Sequence, residues 1–191
     1  MASLIQRLKQ SIWPSKRSSH QVNYKSNSTA IAAPGTQILY DPSLVPRLKQ
    51  DHAQLIRIFN SLTVAIKLQK YAEAQDLLDA FKALFNAHAL TEYTKLYIFL
   101  DYAFRSDPTH HELIIQFRKE MHDIGRAVRA FYTKWSSQSP ENLSSTIFKT
   151  EIEIIGNILI ERIETEESRL YEIYEMAPNI LELGQYPKIA N

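Results

Sequence analysis

Apolar residues recur at spacings of three and four over most of the chain, the signature of helices that each bury one face. The first long pattern begins at Leu44, with Pro46 suited to a first turn, and runs through Leu48, His52, Leu55, Phe59, Leu62 and Ile66. The second joins Leu77, Phe81, Leu84, His88, Glu92, Leu96 and Phe99. Ser106-Asp107-Pro108 breaks the chain and offers Ser106 or Asp107 as a cap. The third stripe follows as Ile114, Phe117, Met121, Ile124, Val128 and Phe131. After a break from Ser136 to Glu141, the fourth carries Ile152, Ile155, Leu159, Arg162, Glu166, Leu170 and Ile173, with an end expected before Pro178. A neighbouring stripe through Ile160, Ile163 and Glu167 fits the fourth helix nearly as well.

Four long helices with short connections predict an all-α fold, an antiparallel up-down-up-down four-helix bundle over residues 38–176. Residues 177–191 are expected to form a C-terminal tail. Residues 1–36 are expected to hold a basic amphipathic segment and a flexible linker. The segment shows Leu4, Ile5, Leu8 and Ile12 at helical spacing beside Arg7 and Lys9, and the linker is rich in Ser and Asn and ends in Ala-Ala-Pro-Gly.

At 191 residues the chain suits one domain with a real core, and its 4 Gly and 8 Pro disfavour a strand-and-turn architecture. With no Cys, any metal must be held by His and carboxylates. No apolar run approaches the roughly 20 residues of a membrane span, and no secretory leader pattern opens the chain, so the expected location is the cytoplasm. The net charge of +1 is uneven. Residues 1–40 hold five cations and no Asp or Glu, which leaves 17 Lys and Arg against 21 Asp and Glu beyond them. That balance argues against a nucleic-acid-binding core. It leaves residues 1–17 as a segment for an anionic membrane surface, at its inner face, or for a protein partner.

The polar residues inside the stripes carry the chemistry. In an antiparallel bundle the starts of helices one and three meet the ends of helices two and four. His52, the His88–Glu92 pair, Arg162 with Glu166, and His110 or His111 at the start of helix three can therefore gather in one layer. Burying such groups without partners costs about 2–7 kcal/mol each. They need either a shared cation, with iron, manganese or zinc suiting imidazole and carboxylate, or a network among themselves. His122 and His20 read as solvated, as do Glu161, Glu164, Glu167, Glu172 and Glu175. No glycine-rich phosphate loop or nucleophile elbow is present, and nothing in the sequence identifies an enzyme substrate.

Phe85-Asn-Ala-His88-Ala-Leu-Thr-Glu92-Tyr-Thr-Lys-Leu-Tyr97 resembles the second-helix signature of the hemerythrin-like, HHE-type cation-binding family. Asp51-His52 resembles its first-helix histidine. Glu161-Arg162-Ile-Glu-Thr-Glu166-Glu167-Ser-Arg-Leu170-Tyr171 resembles its fourth-helix motif, with Arg162 where the family motif places histidine. The resemblance implies a non-haem iron protein that binds or senses oxygen, nitric oxide or redox state. Its ligands would be His52, His88, Glu92, His111 (preferred over His110) and Glu166. Arginine cannot ligate, so the set suits one ion or an incomplete di-iron site. The alternative is a metal-free bundle acting as a regulatory or interaction module, with Arg162 neutralising buried carboxylates.

Overall fold

The structure, a computed structural model, describes residues 31–182. Helix α1 spans Leu44–Lys67; α2 spans Tyr71–Thr91 and continues through a π-helical turn, Glu92–Tyr97, into α3, Ile98–Ala103. Helix α4 covers Pro108–Ser136. After a 3-10 turn at Pro140–Ser144, α5 covers Thr146–Thr165 and runs through a second π turn, Glu166–Leu170, into α6, Tyr171–Glu182. With α2–α3 and α5–α6 each counted as one long rod, the described residues form the expected all-α four-helix bundle.

Local chemistry sets the boundaries. Helix α1 ends as Gln69 takes a left-handed backbone (φ 59°) and the Lys70 N–H donates to Ala65 O, the closing bond of a Schellman turn. Asp107 caps α4, its side chain accepting from the N–H groups of Thr109 and His110, with Pro108 in the first turn. Ser145 caps α5 through the Phe148 N–H. The fourth rod does not stop before Pro178: α6 carries that proline inside it to Glu182. Burial of Ile173, Tyr174 and Ala177, with Met176, Ile180 and Leu181 packed alongside, outweighs the hydrogen bond that the imino nitrogen cannot donate.

The stripe of α1 is buried as predicted at Leu48, His52, Leu55, Phe59, Leu62 and Ile66. On α4 the inward set is Ile114, Phe117, Met121, Gly125, Val128, Phe131 and Trp135. One end of the core is aromatic, with Phe148 against Phe131 and Trp135. At the other end, residues 31–43 fold back on the bundle: Ala32 bridges Leu39, Gly35 turns with φ 71°, and Tyr40 stacks on Tyr174 at 4.9 Å. The last part of the expected linker is thus docked. The basic segment 1–17 lies outside the described residues. No helix of the described residues is long and apolar enough to cross a membrane.

Candidate metal centre

Five polar side chains are buried in the bundle among the described residues: His52, His88, Glu92, Arg162 and Glu166. His52 comes from α1, His88 from α2, and Glu92 from the first residue of the π turn, one helical turn after His88. Arg162 and Glu166 hold the corresponding places on the fourth rod. Of the two stripes open on that rod, the one through Arg162 and Glu166 faces inward.

Both π turns begin at the glutamate and are followed or closed by a tyrosine five residues on, Tyr97 and Tyr171. In an unbroken α-helix a residue five positions on points about 140° away from the first. The wider π turn brings it back onto the same side. Hence Tyr97 and Tyr171, as well as Leu96 and Leu170, are inside.

The His52 Nε2 atom is the hub. It lies 3.2 Å from His88 Nε2, 3.2 Å from Glu166 Oε2 and 3.3 Å from the Tyr171 hydroxyl. Ligand atoms of His52, His88 and Glu166 all fall within 4.8 Å of one another. On the far sides of the rings, His52 Nδ1 meets Glu167 Oε1 at 2.8 Å, and His88 Nδ1 faces Asp51 Oδ2 at 3.5 Å. The Glu167 carboxylate behind His52 favours its Nδ1–H tautomer, the arrangement found around metal-bound histidines, whereas His88 Nδ1 is buried without a hydrogen-bond partner, with Asp51 the nearest carboxylate. Glu92 gives one oxygen to the Tyr171 O–H at 2.9 Å, while its Oε2 is buried with no hydrogen-bond partner and lies 3.8 Å from His88 Nε2. Two imidazole Nε2 atoms 3.2 Å apart beside an unpartnered carboxylate oxygen offer, once the proton of His52 is displaced, the nitrogen and oxygen ligands that a cation takes. The donor set therefore fits a transition-metal ion such as iron.

Arg162 fills the other side of the layer. Its guanidinium donates to Glu166 Oε1 at 2.5 Å, to the Tyr97 hydroxyl at 2.6 Å and to Glu120 Oε2 at 3.3 Å, and it stands 5.1 Å above the Phe117 ring. Helix α4 meets this level with Phe117 and with Met121, which shares a cavity wall with His52, His88 and Glu166. Glu120 of α4 meets the layer through Arg162, and no His or carboxylate of α4 is grouped with His52, His88 and Glu166.

Titration follows the geometry. Burial opposes a charge on His52, but the Glu166 and Glu167 carboxylates outweigh it and push the imidazole up to about 9. Burial and the neighbouring His52 charge bring His88 down to about 4. Burial and the Glu166 carboxylate push Glu92 up to about 8. Although burial works against ionisation of Glu166, the His52 hydrogen bond and Arg162 hold it below the usual carboxylate range. The layer without metal is thus an ion-pair network of Arg162, His52 and Glu166, with His88 and Glu92 kept neutral.

The sequence-derived set is only partly brought together. His52, His88, Glu92 and Glu166 converge. His111 does not: its Nε2 meets Asp101 Oδ1 at 3.0 Å on a half-exposed surface. It sits six residues before Phe117, about 9 Å along the helix axis from the polar level. His110 is likewise elsewhere, on Asp107 Oδ2 at 2.5 Å beside Phe104. Glu167, expected on the solvated face, instead anchors His52. Asp51, Glu167, Tyr97 and Tyr171 were not picked out as parts of the layer. Two signals mark them: an acid adjacent in sequence to an inward residue, and the Glu-x-x-x-Leu-Tyr pattern that occurs twice.

No curated protein and no solved structure matches the chain. The family model of the hemerythrin HHE cation binding domain matches residues 43–174, and with the bundle and its inward histidines and glutamates in place, the chain belongs to that family.

Proposed function

We propose that this protein holds a single transition-metal ion, non-haem iron foremost, between His52, His88, Glu92 and Glu166, and uses it to bind a diatomic ligand or to sense redox state. The observation that carries this reading is the pair of Nε2 atoms 3.2 Å apart, each ring backed by a carboxylate, beside the unpartnered Glu92 Oε2. When bound, iron supplies the redox change and the open coordination position that the side chains lack. Asp51 and Glu167 orient the imidazoles, and the apolar walls keep water away. Next to His52 and His88 lies a cavity of about 30 Å³ walled by Leu55, Phe59, Phe85, Met121 and Leu159. This space beside the two histidines supports a small ligand such as a diatomic.

One ion rather than two follows from Arg162 and α4. A permanently charged guanidinium stands where a second cation would neutralise Glu166; Phe117 and Met121 offer no ligating oxygen or nitrogen, and the α4 carboxylate at this level, Glu120, is engaged by that guanidinium. Metal analysis of aerobically purified protein, followed by anaerobic iron(II) titration, tests this reading. Uptake of a single iron per chain is expected, and a chain that takes up no iron contradicts it.

The Arg162–Glu166 bond also favours a second reading, a metal-free bundle whose buried charge is neutralised by that ion pair and whose surface serves as a regulatory or interaction module. The same titration separates the two. For residues 1–17, the basic amphipathic pattern supports docking on an anionic membrane at the cytoplasmic face or on a protein partner. Co-sedimentation with anionic vesicles, with and without residues 1–35, tests the membrane contact; equal binding by both chains removes it.

A further inference from the structure

We propose that Tyr171 is itself a metal ligand, its phenolic oxygen joining His52 and His88 in the donor set of the ion. The inference rests on the cation-binding reading and goes beyond the histidines and carboxylates.

Donors held about 2.0–2.2 Å from an ion lie about 2.8–3.6 Å from one another in octahedral or tetrahedral arrangements. Around His52 Nε2, three atoms stand at such edge lengths: His88 Nε2 and Glu166 Oε2 at 3.2 Å and the Tyr171 oxygen at 3.3 Å. The phenolic oxygen is also 2.9 Å from Glu92 Oε1. It therefore sits between a histidine and a carboxylate that both converge on the same space.

Its placement is fixed on all sides. Tyr171 is fully buried, and its ring lies nearly parallel to that of His52 (11° between planes, centroids 5.6 Å apart). The π turn Glu166–Leu170 carries it back under Glu166. Tyr97, at the equivalent place after the other π turn, has a different task, since its hydroxyl accepts from Arg162 at 2.6 Å. The two halves of the bundle thus use one motif differently: one tyrosine serves the guanidinium and the other meets His52 and Glu92.

Coordination forms a metal–oxygen bond and breaks the phenolic O–H bond. The phenolic proton and the proton held by Glu92 are both released to solvent on binding, and no electron moves.

The test uses the full chain loaded with iron and oxidised to iron(III), read by iron content, visible absorption and resonance Raman spectroscopy. A phenolate bound to iron(III) gives a charge-transfer band in the visible and enhanced phenolate ring modes. Both are expected in the wild type and in Tyr97→Phe. Both are expected to be lost in Tyr171→Phe while iron content stays within about twofold of the wild type. Iron-loaded wild type without phenolate modes overturns the proposal, as do modes that persist in Tyr171→Phe. A wild-type chain that binds no iron overturns the cation-binding reading beneath it.

Discussion

Replacing Arg162 by leucine removes the one permanent cation in the buried layer. Glu166, 1% exposed, then loses its 2.5 Å partner, and the Tyr97 hydroxyl loses the donor 2.6 Å away. Breaking a buried ion pair from one side costs about 3–5 kcal/mol, because the remaining charge is stranded. Glu166 keeps His52 at 3.2 Å, so the low end applies. About 3 kcal/mol corresponds to a fall in Tm of roughly 6–12 °C for a domain of this size. Thermal unfolding of chelator-treated protein is the assay. Adding Glu166→Gln to the leucine variant removes the stranded charge and is expected to recover about 2 kcal/mol, a coupling that a double-mutant cycle isolates. A metal-loaded sample of the single variant is expected to recover stability as well, since the ion neutralises Glu166. If Arg162→Leu unfolds at the wild-type temperature and binds metal no better, the ion-pair account of the layer is refuted.

Three further outcomes are expected. Asp51→Asn and Glu167→Gln, which loosen the carboxylates behind His88 and His52, should each weaken metal affinity about 10–100-fold in competition titrations with a chelator. His111→Ala removes a half-exposed contact to Asp101; it should leave metal content unchanged and cost under about 1 kcal/mol by denaturant unfolding. The third concerns pH. His52 (up to about 9) binds its proton more tightly folded than unfolded, so its stabilising contribution is complete below its ordinary value and is lost as pH rises to about 9. Glu92 (up to about 8) resists ionisation in the fold, so it too lowers metal-free stability as pH rises from its ordinary value. Metal binding needs both deprotonated. The gap in Tm between loaded and metal-free protein should therefore widen from about pH 6 to pH 9, and a gap that narrows would contradict these assignments.

The helices were legible because strict three-and-four spacing has few competing explanations. Every predicted inward residue of α1 is buried. The second and fourth rods were legible only as far as their glutamates. After Glu92 and Glu166 a π turn inserts a residue, which an unbroken 3.6 period cannot anticipate, and so Tyr97 and Tyr171 stood in the motifs without a place in the inward stripes. His111 shows a different limit: periodicity places a residue on a face, whereas its level along the axis depends on how the rods are staggered. Phe117 and Met121 occupy the level at which a third-helix ligand was sought. Glu167 read as a solvent-facing charge because it is adjacent to an inward residue, yet the His52 imidazole reaches across the helix edge to meet it. Pro178 ended the fourth helix by local rule, and core burial overrode it.

The central claim is that the layer holds a cation through His52 and His88. The most direct measurement is a crystal structure of the iron-loaded protein with anomalous scattering at the iron edge. The account predicts a single anomalous peak per chain bonded to Nε2 of both His52 and His88, with Arg162 still on Glu166. A layer with no peak, or a peak held by His111 and Asp101 instead, would contradict it.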